Sequence, residues 1–369
     1  MPTAWGPPRK NARKTKLPVS RPCLYARLLL KKFRESPIFT SLKAVAVRFK
    51  TNDNTNSVGA KLRPTENKTT NDKPQPASQH PLAAASQPNA VYSALQTLEK
   101  SYAFAYLQAI GTSRLGHSIP CLAIGSGAKE IMINAAHHAN EWITTPLLLR
   151  FMEEYIRRHN PEITLHCIPL VNPDGVALVT GGIPASSPAY KAAQAMAKNH
   201  PVQLSQPFPA SWKSNIIGVD LNSNYPANWP QARQNKFAKG YNQPGPRDYV
   251  GPQPLSEPET CAMVAYTKTH DFALTLSLHT QGEEIYWHYP GHNPPQEKEI
   301  ATKLSQASGY QLEKVPDTSS HAGYRDWFIQ TYNRPGFTIE CGLGESPLPP
   351  GDFERIYAKL APLLWAAVS

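Results

Sequence analysis

Acidic residues are nearly missing from the start of this chain. Between Met1 and Asn89 there are 4 Asp/Glu against 17 Lys/Arg. The other 280 residues carry 23 Asp/Glu and 21 Lys/Arg, so the net charge of +11 originates in the N-terminal segment. Cysteine is also sparse. The chain has 5, at positions 23, 121, 167, 261 and 341, and none form a CxxC pair. That excludes a disulfide framework and a cysteine-based zinc site, and it suits a reducing compartment. No stretch approaches the roughly 18–20 apolar residues of a membrane span. The apolar run Leu24–Phe33 is broken by Arg27 and Lys31 and makes a poor signal-peptide core. With no leader recognisable, the expected compartment is the cytoplasm. No internal repeat occurs, which removes solenoid and propeller architectures.

What is present divides in two. Residues 51–88 are rich in Asn, Thr, Lys, Pro, Ser and Gln, too polar to offset the entropy of ordering. Residues 1–88 therefore read as a basic, low-complexity segment and linker, and 89–369 as one catalytic domain. A basic tail can attract nucleic acid, anionic lipid or wall polymer, but a solvated tail is the plainer reading and no nucleic acid is required.

From Asn89 onward, helical and strand patterns alternate. Helices are expected at Ala90–Ala109, Glu141–Arg158, Tyr190–Lys198, Pro258–Thr269, Gln296–Ser308 and Phe353–Ala367. Strands are expected at Ile119–Ile124, Ile131–Ala136, Thr164–Val171, Ala273–His279 and Gly336–Glu340, with Asn172–Gly175 as a turn. This predicts an α/β fold: a mixed, largely parallel central sheet with helices on both faces. Residues 202–254 lack periodicity and read as loops around a site mouth.

His138 and Glu141 stand three apart after a strand, which puts an imidazole and a carboxylate on one side of a helical turn. His279 ends another apolar strand and is the best third ligand. Two His and one carboxylate with an open position are a catalytic type of zinc site. Glu340, ending the strand Gly336–Glu340, is costly there unless put to use, and is the natural general base.

These residues resemble a known family. His138-Ala139-Asn140-Glu141-Trp142-Ile143-Thr144 looks like the metal-binding stretch of the zinc carboxypeptidases. Asn172-Pro173-Asp174-Gly175, Gly218-Val219-Asp220-Leu221-Asn222, Ser277-Leu278-His279, Asp326-Trp327 and Phe337-Thr338-Ile339-Glu340 follow in the family's order. The resemblance spans about residues 90–369. It implies one Zn²⁺ held by His138, Glu141 and His279, with Glu340 as general base. Lys213 stands where the family often has an oxyanion-steadying arginine, and Asn222 matches a substrate-binding asparagine.

The departures are specific. Ser223 replaces an arginine that grips a free C-terminus, and Thr318-Ser319-Ser320 offer no counterpart to a mobile tyrosine. A serine lacks the guanidinium fork. Asn140 stands where an arginine is common. Arg325 falls at the base of the specificity pocket and would favour an acidic group. Within the family, His137–Pro146, His279–Trp287 and Glu340–Pro349 are similar to bacterial γ-D-glutamyl-L-diamino-acid endopeptidases. That resemblance implies cleavage of peptide or muropeptide substrates at the γ-D-Glu to meso-diaminopimelate bond. The alternatives are C-terminal trimming as a metallocarboxypeptidase, and a non-catalytic binding protein led by its tail. Among the rest, Glu283 and Glu284 read as loop charges, and Asp326 as a ligand-orienting or turn-capping carboxylate. His166, His200, His270, His288 and His292 have no usable spacing and read as structural or exposed.

Overall fold

The computed structural model describes residues 80–316 and 320–369. In chain order its elements are α1 (Pro81–Ala85), α2 (Pro88–Ser101), β1 (Ala105–Thr112), β2 (Ser118–Ile124), β3 (Lys129–Ala135) and α3 (Thr144–Tyr155). Next come β4 (Ile163–Ile168), α4 (Pro173–Val179), α5 (Pro188–Lys198), α6 (Trp229–Ala238), α7 (Pro258–Lys268) and β5 (Phe272–His279). The chain closes with β6 (Glu284–Tyr286), α8 (Glu297–Ser308), β7 (Gln311–Glu313), α9 (Tyr324–Tyr332), β8 (Gly336–Glu340) and α10 (Phe353–Ala367). Proline sits in the first turn of α1, α2, α4, α5, α6 and α7. There its missing N–H costs nothing, because first-turn amides have no intrahelical acceptor.

The eight strands form one mixed sheet in the order β1-β2-β4-β3-β5-β8-β6-β7. Its centre, β4-β3-β5-β8, is parallel. β1 and β2 run antiparallel at one side, and β6 runs antiparallel to β8 at the other. Strands buried on both faces should read as largely apolar; Ile131–Ile133 of β3 and Phe272–Leu274 of β5 do, while Asn134, Thr275 and Ser277 are buried polar exceptions. Met132 and Cys121 pack with Met263, Tyr324 and Phe328 of α7 and α9. Ile131 and Ile133 alternate to the opposite face and are equally buried. α3 packs on β3 there, with α10 laid against α3 through Phe151–Trp365 and Arg150–Tyr357. The predicted architecture is thus observed: helices cover both faces.

Several boundaries differ from the sequence expectation. The helix expected over 90–109 stops at Ser101, because residues from Ala105 pair with β2 instead. Pairing across the sheet outweighs local helical pattern. The expected turn at Asn172 is the cap of α4, its Oδ1 accepting the Gly175 N–H. The strand expected to reach Val171 ends at Ile168, and the helix expected from Glu141 is a 3₁₀ turn (Ala139–Glu141) followed by α3. α6 lies inside the stretch read as loops, and α9 carries Asp326 and Trp327, where no helix was expected. α1 falls within the segment read as linker; residues 1–79 lie outside those described.

Candidate metal centre

β3 ends and the chain folds sharply. Ala136 takes φ 55°, and its N–H donates to Thr144 Oγ1 at 3.1 Å. Thr144 Oγ1 in turn donates to the Glu141 carbonyl at 2.8 Å. Asn172 Nδ2 donates to the carbonyls of His137 and Ser214, both at 3.1 Å. This pinned turn carries His138 and Glu141. β5 brings His279 beside them, and the parallel register sets His279 directly next to Glu340 of β8. Paired residues send their side chains to the same face, so the general-base candidate arrives next to the third ligand candidate through strand pairing alone.

The donor atoms converge. His138 Nδ1 lies 2.8 Å from Glu141 Oε1, His279 Nδ1 lies 2.8 Å from Glu141 Oε2, and the two Nδ1 atoms are 3.0 Å apart. All three residues are buried. Bonds of about 2.0–2.1 Å to a tetrahedral zinc put donors about 3.3 Å apart, so this set fits the ion. Burial opposes charge on Glu141, but His138 and His279 outweigh it and hold the carboxylate well below its usual range. Burial likewise works against Lys213, yet Glu141, Asp220 and Asp248 keep its ammonium charged. Lys213 Nζ lies 3.7 Å from Glu141 Oε1. Its backbone is fixed by accepting the Ala139 N–H at 3.0 Å. Burial, then the Glu141 charge, pushes Glu340 up to about 8. A cation held by Glu141 removes the second of these causes.

Sequence reasoning missed Asp220. His138 Nε2 donates to Asp220 Oδ1 at 3.2 Å, across 82 residues of chain. The signal available was its place in Gly218–Asn222, of which Asn222 alone was singled out. Asp326, read as a possible partner of a ligand, instead takes Arg325 Nε at 3.0 Å and the His321 N–H at 3.1 Å. Glu283 lies in the loop where it was expected, whereas the loop reading of Glu284 is corrected. Glu283 pairs with Lys359 and Arg355, and Glu284 starts β6 opposite Glu340.

A cavity of about 450 Å³ opens beside the centre. His138, Lys213, Asn222, Ser223, Arg325 and Glu340 all line it. Asn222 Oδ1 accepts the Tyr324 N–H at 3.1 Å. Arg325 is buried, and its Nη1 makes no hydrogen bond. Asn140 lines an adjoining cavity of about 290 Å³ together with Glu141, Lys213 and Arg247. Lys213 and Arg247 line both cavities, so the two adjoin there.

Fold and centre together define a zinc-dependent hydrolase on an α/β sheet. The chain belongs to the zinc carboxypeptidase family, whose profile matches residues 91–358, and it is a zinc metallopeptidase of that family. It is 41% identical over 277 residues to γ-D-glutamyl-L-diamino acid endopeptidase 1 of Lysinibacillus sphaericus, covering 71% of this chain and 67% of that protein. It is 35% identical to the uncharacterized protein YqgT of Bacillus subtilis (strain 168), over 76% of each. The solved carboxypeptidase A of Helicoverpa armigera shares the fold, with a TM-score of 0.60 at 16% identity over 93% of this chain and 85% of that one. No helix among the described residues is long and apolar enough to cross a membrane.

Proposed function

We propose that this metallopeptidase hydrolyses the γ-D-glutamyl bond to a diamino acid in peptidoglycan-derived peptides. The observation that carries the reading is the pairing of opposite charges in the cavity beside the centre. A diamino acid such as meso-diaminopimelate bears a carboxylate and an ammonium at its far end. Arg325 and Asp326 stand side by side on the cavity wall and can meet the two. Arg325 Nη1, buried without a hydrogen bond, suits a carboxylate. Ser223 lines the same wall without a guanidinium, so a free C-terminus is gripped less firmly. The 41% identity to a γ-D-glutamyl-L-diamino acid endopeptidase supports the same substrate class.

In this reading His138, Glu141 and His279 hold the zinc. When bound, zinc supplies a Lewis acid that polarises the scissile carbonyl and makes a water acidic. Glu340 takes the proton of the attacking water and passes it to the leaving amine. Lys213 faces the oxygen that gains charge, as a point charge rather than a fork. Asn222 has its Oδ1 occupied by Tyr324 and so donates through its amide nitrogen, orienting the substrate with Asn140 and Arg325. The four described cysteines are free thiols, which suits a cytoplasmic enzyme acting on released muropeptides.

The tetrapeptide L-Ala-γ-D-Glu-meso-diaminopimelate-D-Ala separates the two peptidase readings. The expected products are L-Ala-D-Glu and diaminopimelate-D-Ala, also when the C-terminus is amidated. Glu340→Gln should lower kcat by about 10²–10⁴ without loss of metal. Release of D-Ala alone, blocked by amidation, would overturn the endopeptidase reading in favour of C-terminal trimming.

A further inference from the structure

The opposite end of the sheet carries a second convergence of metal-binding side chains. Glu130 is the second residue of β3, His166 lies in β4 and His270 precedes β5. Their donor atoms lie within 4.8 Å of one another. His270 Nδ1 is 3.0 Å from Glu130 Oε1, and His166 Nε2 is 3.5 Å from the same oxygen. Both separations bracket the roughly 3.3 Å expected of donors sharing a tetrahedral ion at about 2.0–2.1 Å. From Glu130 to Ala135 there is about 17 Å of strand, at about 3.3 Å per residue, so this cluster is separate from the His138 centre.

Two features go beyond a chance grouping. His166 is 3% exposed, and its Nε2 makes no hydrogen bond. A buried imidazole nitrogen in that state is costly unless something binds it. The other nitrogen is already held: Nδ1 meets the Tyr266 hydroxyl at 2.7 Å. An ion on Nε2 is compatible with this contact: Nδ1–H then donates to Tyr266 and Nε2 turns its lone pair to the ion, the way ligand histidines are normally fixed. Glu130 is oriented too, because its Oε2 accepts the Asp271 N–H at 2.6 Å and leaves Oε1 facing the two imidazoles. The His270 and Glu130 side chains are 21% and 22% exposed, which gives an ion access from solvent.

We propose that Glu130, His166 and His270 bind a second divalent transition ion of the zinc type, with water completing the shell. Imidazole and carboxylate donors select such ions over calcium or magnesium. The ion would clamp β4, β3 and β5, neighbours at the sheet's centre, at the end away from the chemistry.

The test is zinc stoichiometry on the full-length, metal-stripped protein dialysed against ZnCl₂, read by elemental analysis. Wild type should bind two zinc ions per chain. Glu130→Gln and His270→Asn should each bind one, with circular dichroism and peptidase activity retained. Glu141→Gln should also bind one, and adding Glu130→Gln to it should remove that one. Unchanged circular dichroism keeps misfolding from mimicking the result. One zinc in wild type, unchanged by Glu130→Gln and His270→Asn, would overturn the proposal. So would two zinc ions retained by both of those variants. One zinc in wild type that Glu141→Gln keeps and Glu130→Gln loses would count against the catalytic reading and leave this one standing.

Discussion

Asp220 shows how one uncoordinated residue sets the centre. With His138 Nδ1 turned to Glu141, the Nε2–H donates to Asp220 Oδ1. That bond fixes the tautomer and the ring plane and makes Nδ1 a better donor. Burial raises the Asp220 pKa, but the charges of His138 and Lys213 outweigh it and keep the group ionised. Its other oxygen accepts the Asp248 N–H at 3.2 Å, so the carboxylate is held from two sides. Asp220→Asn preserves shape and removes charge. Zinc affinity should then fall about 10–100-fold, measured by competition with a chromophoric chelator. Affinity equal to wild type would show that the Asp220 charge does not support His138. At this scale the candidate ligands were legible. His138 and Glu141 share one turn, and His279 and Glu340 each end an apolar run, where side chains reach a sheet's carboxyl edge. Asp220 was not legible as a partner, because its contact to His138 spans loops with no period to read. The Glu130, His166 and His270 cluster was hidden for the same reason: three neighbours in space with no common spacing in sequence.

At the scale of elements, α7 opens on two carboxylates with opposite surroundings. Glu257 pairs with Arg114 Nε at 3.1 Å and accepts from Asn215 Nδ2 at 2.7 Å. Glu259 is fully buried; its Oε1 accepts the Arg114 N–H at 3.2 Å, and its Oε2 makes no hydrogen bond. Burial pushes Glu259 up to about 7, against an ordinary 4.5. The folded chain thus holds this proton more tightly than the unfolded one. Stability should fall as pH rises from about 4.5 to about 7 and level off above that. Glu259→Gln removes the titration. It should leave the melting temperature near wild type at pH 5 and raise it at pH 8, by about 1–3 kcal/mol of stability. Thermal unfolding across this range decides it; an equal shift at both pH values would mean that Glu259 does not change protonation. Three of the elements that sequence pattern missed carry little signal. β6 and β7 have three residues each, too few to show alternation. α6 buries Ala232 alone within its span, so its polar sequence has no apolar stripe. The long buried strands and amphipathic helices, by contrast, announced themselves.

At the scale of the molecule, charge and packing part company near residue 80. The basic excess lies before Asn89, whereas among the described residues α1 is already buried, with Leu82 at 2% and Ala83 at 0% exposure. Ser86 Oγ donates to the Leu82 carbonyl at 2.7 Å, and Gln87 Nε2 reaches the Thr180 carbonyl at 3.2 Å, beside α4. Residues 80–88 carry no charged Lys, Arg, Asp or Glu, so composition alone could not assign them to the catalytic unit. Two truncations therefore have different expected outcomes. A chain starting at His80 loses all 17 Lys/Arg of the basic segment and none of these contacts. Its kcat/KM on the tetrapeptide should stay within about two-fold of full length, because every site residue named above is kept and charge beyond a Debye length is screened. A chain starting at Asn89 also loses the Leu82 packing, worth about 2–5 kcal/mol for a large buried aliphatic, and its melting temperature should drop accordingly. Thermal unfolding and tetrapeptide hydrolysis on both chains read the two effects apart. If the His80 chain folds normally but no longer cleaves, the basic segment takes part in substrate capture and the catalytic unit is larger than its packed core. If both chains match full length in stability, α1 contributes nothing to that core despite its burial.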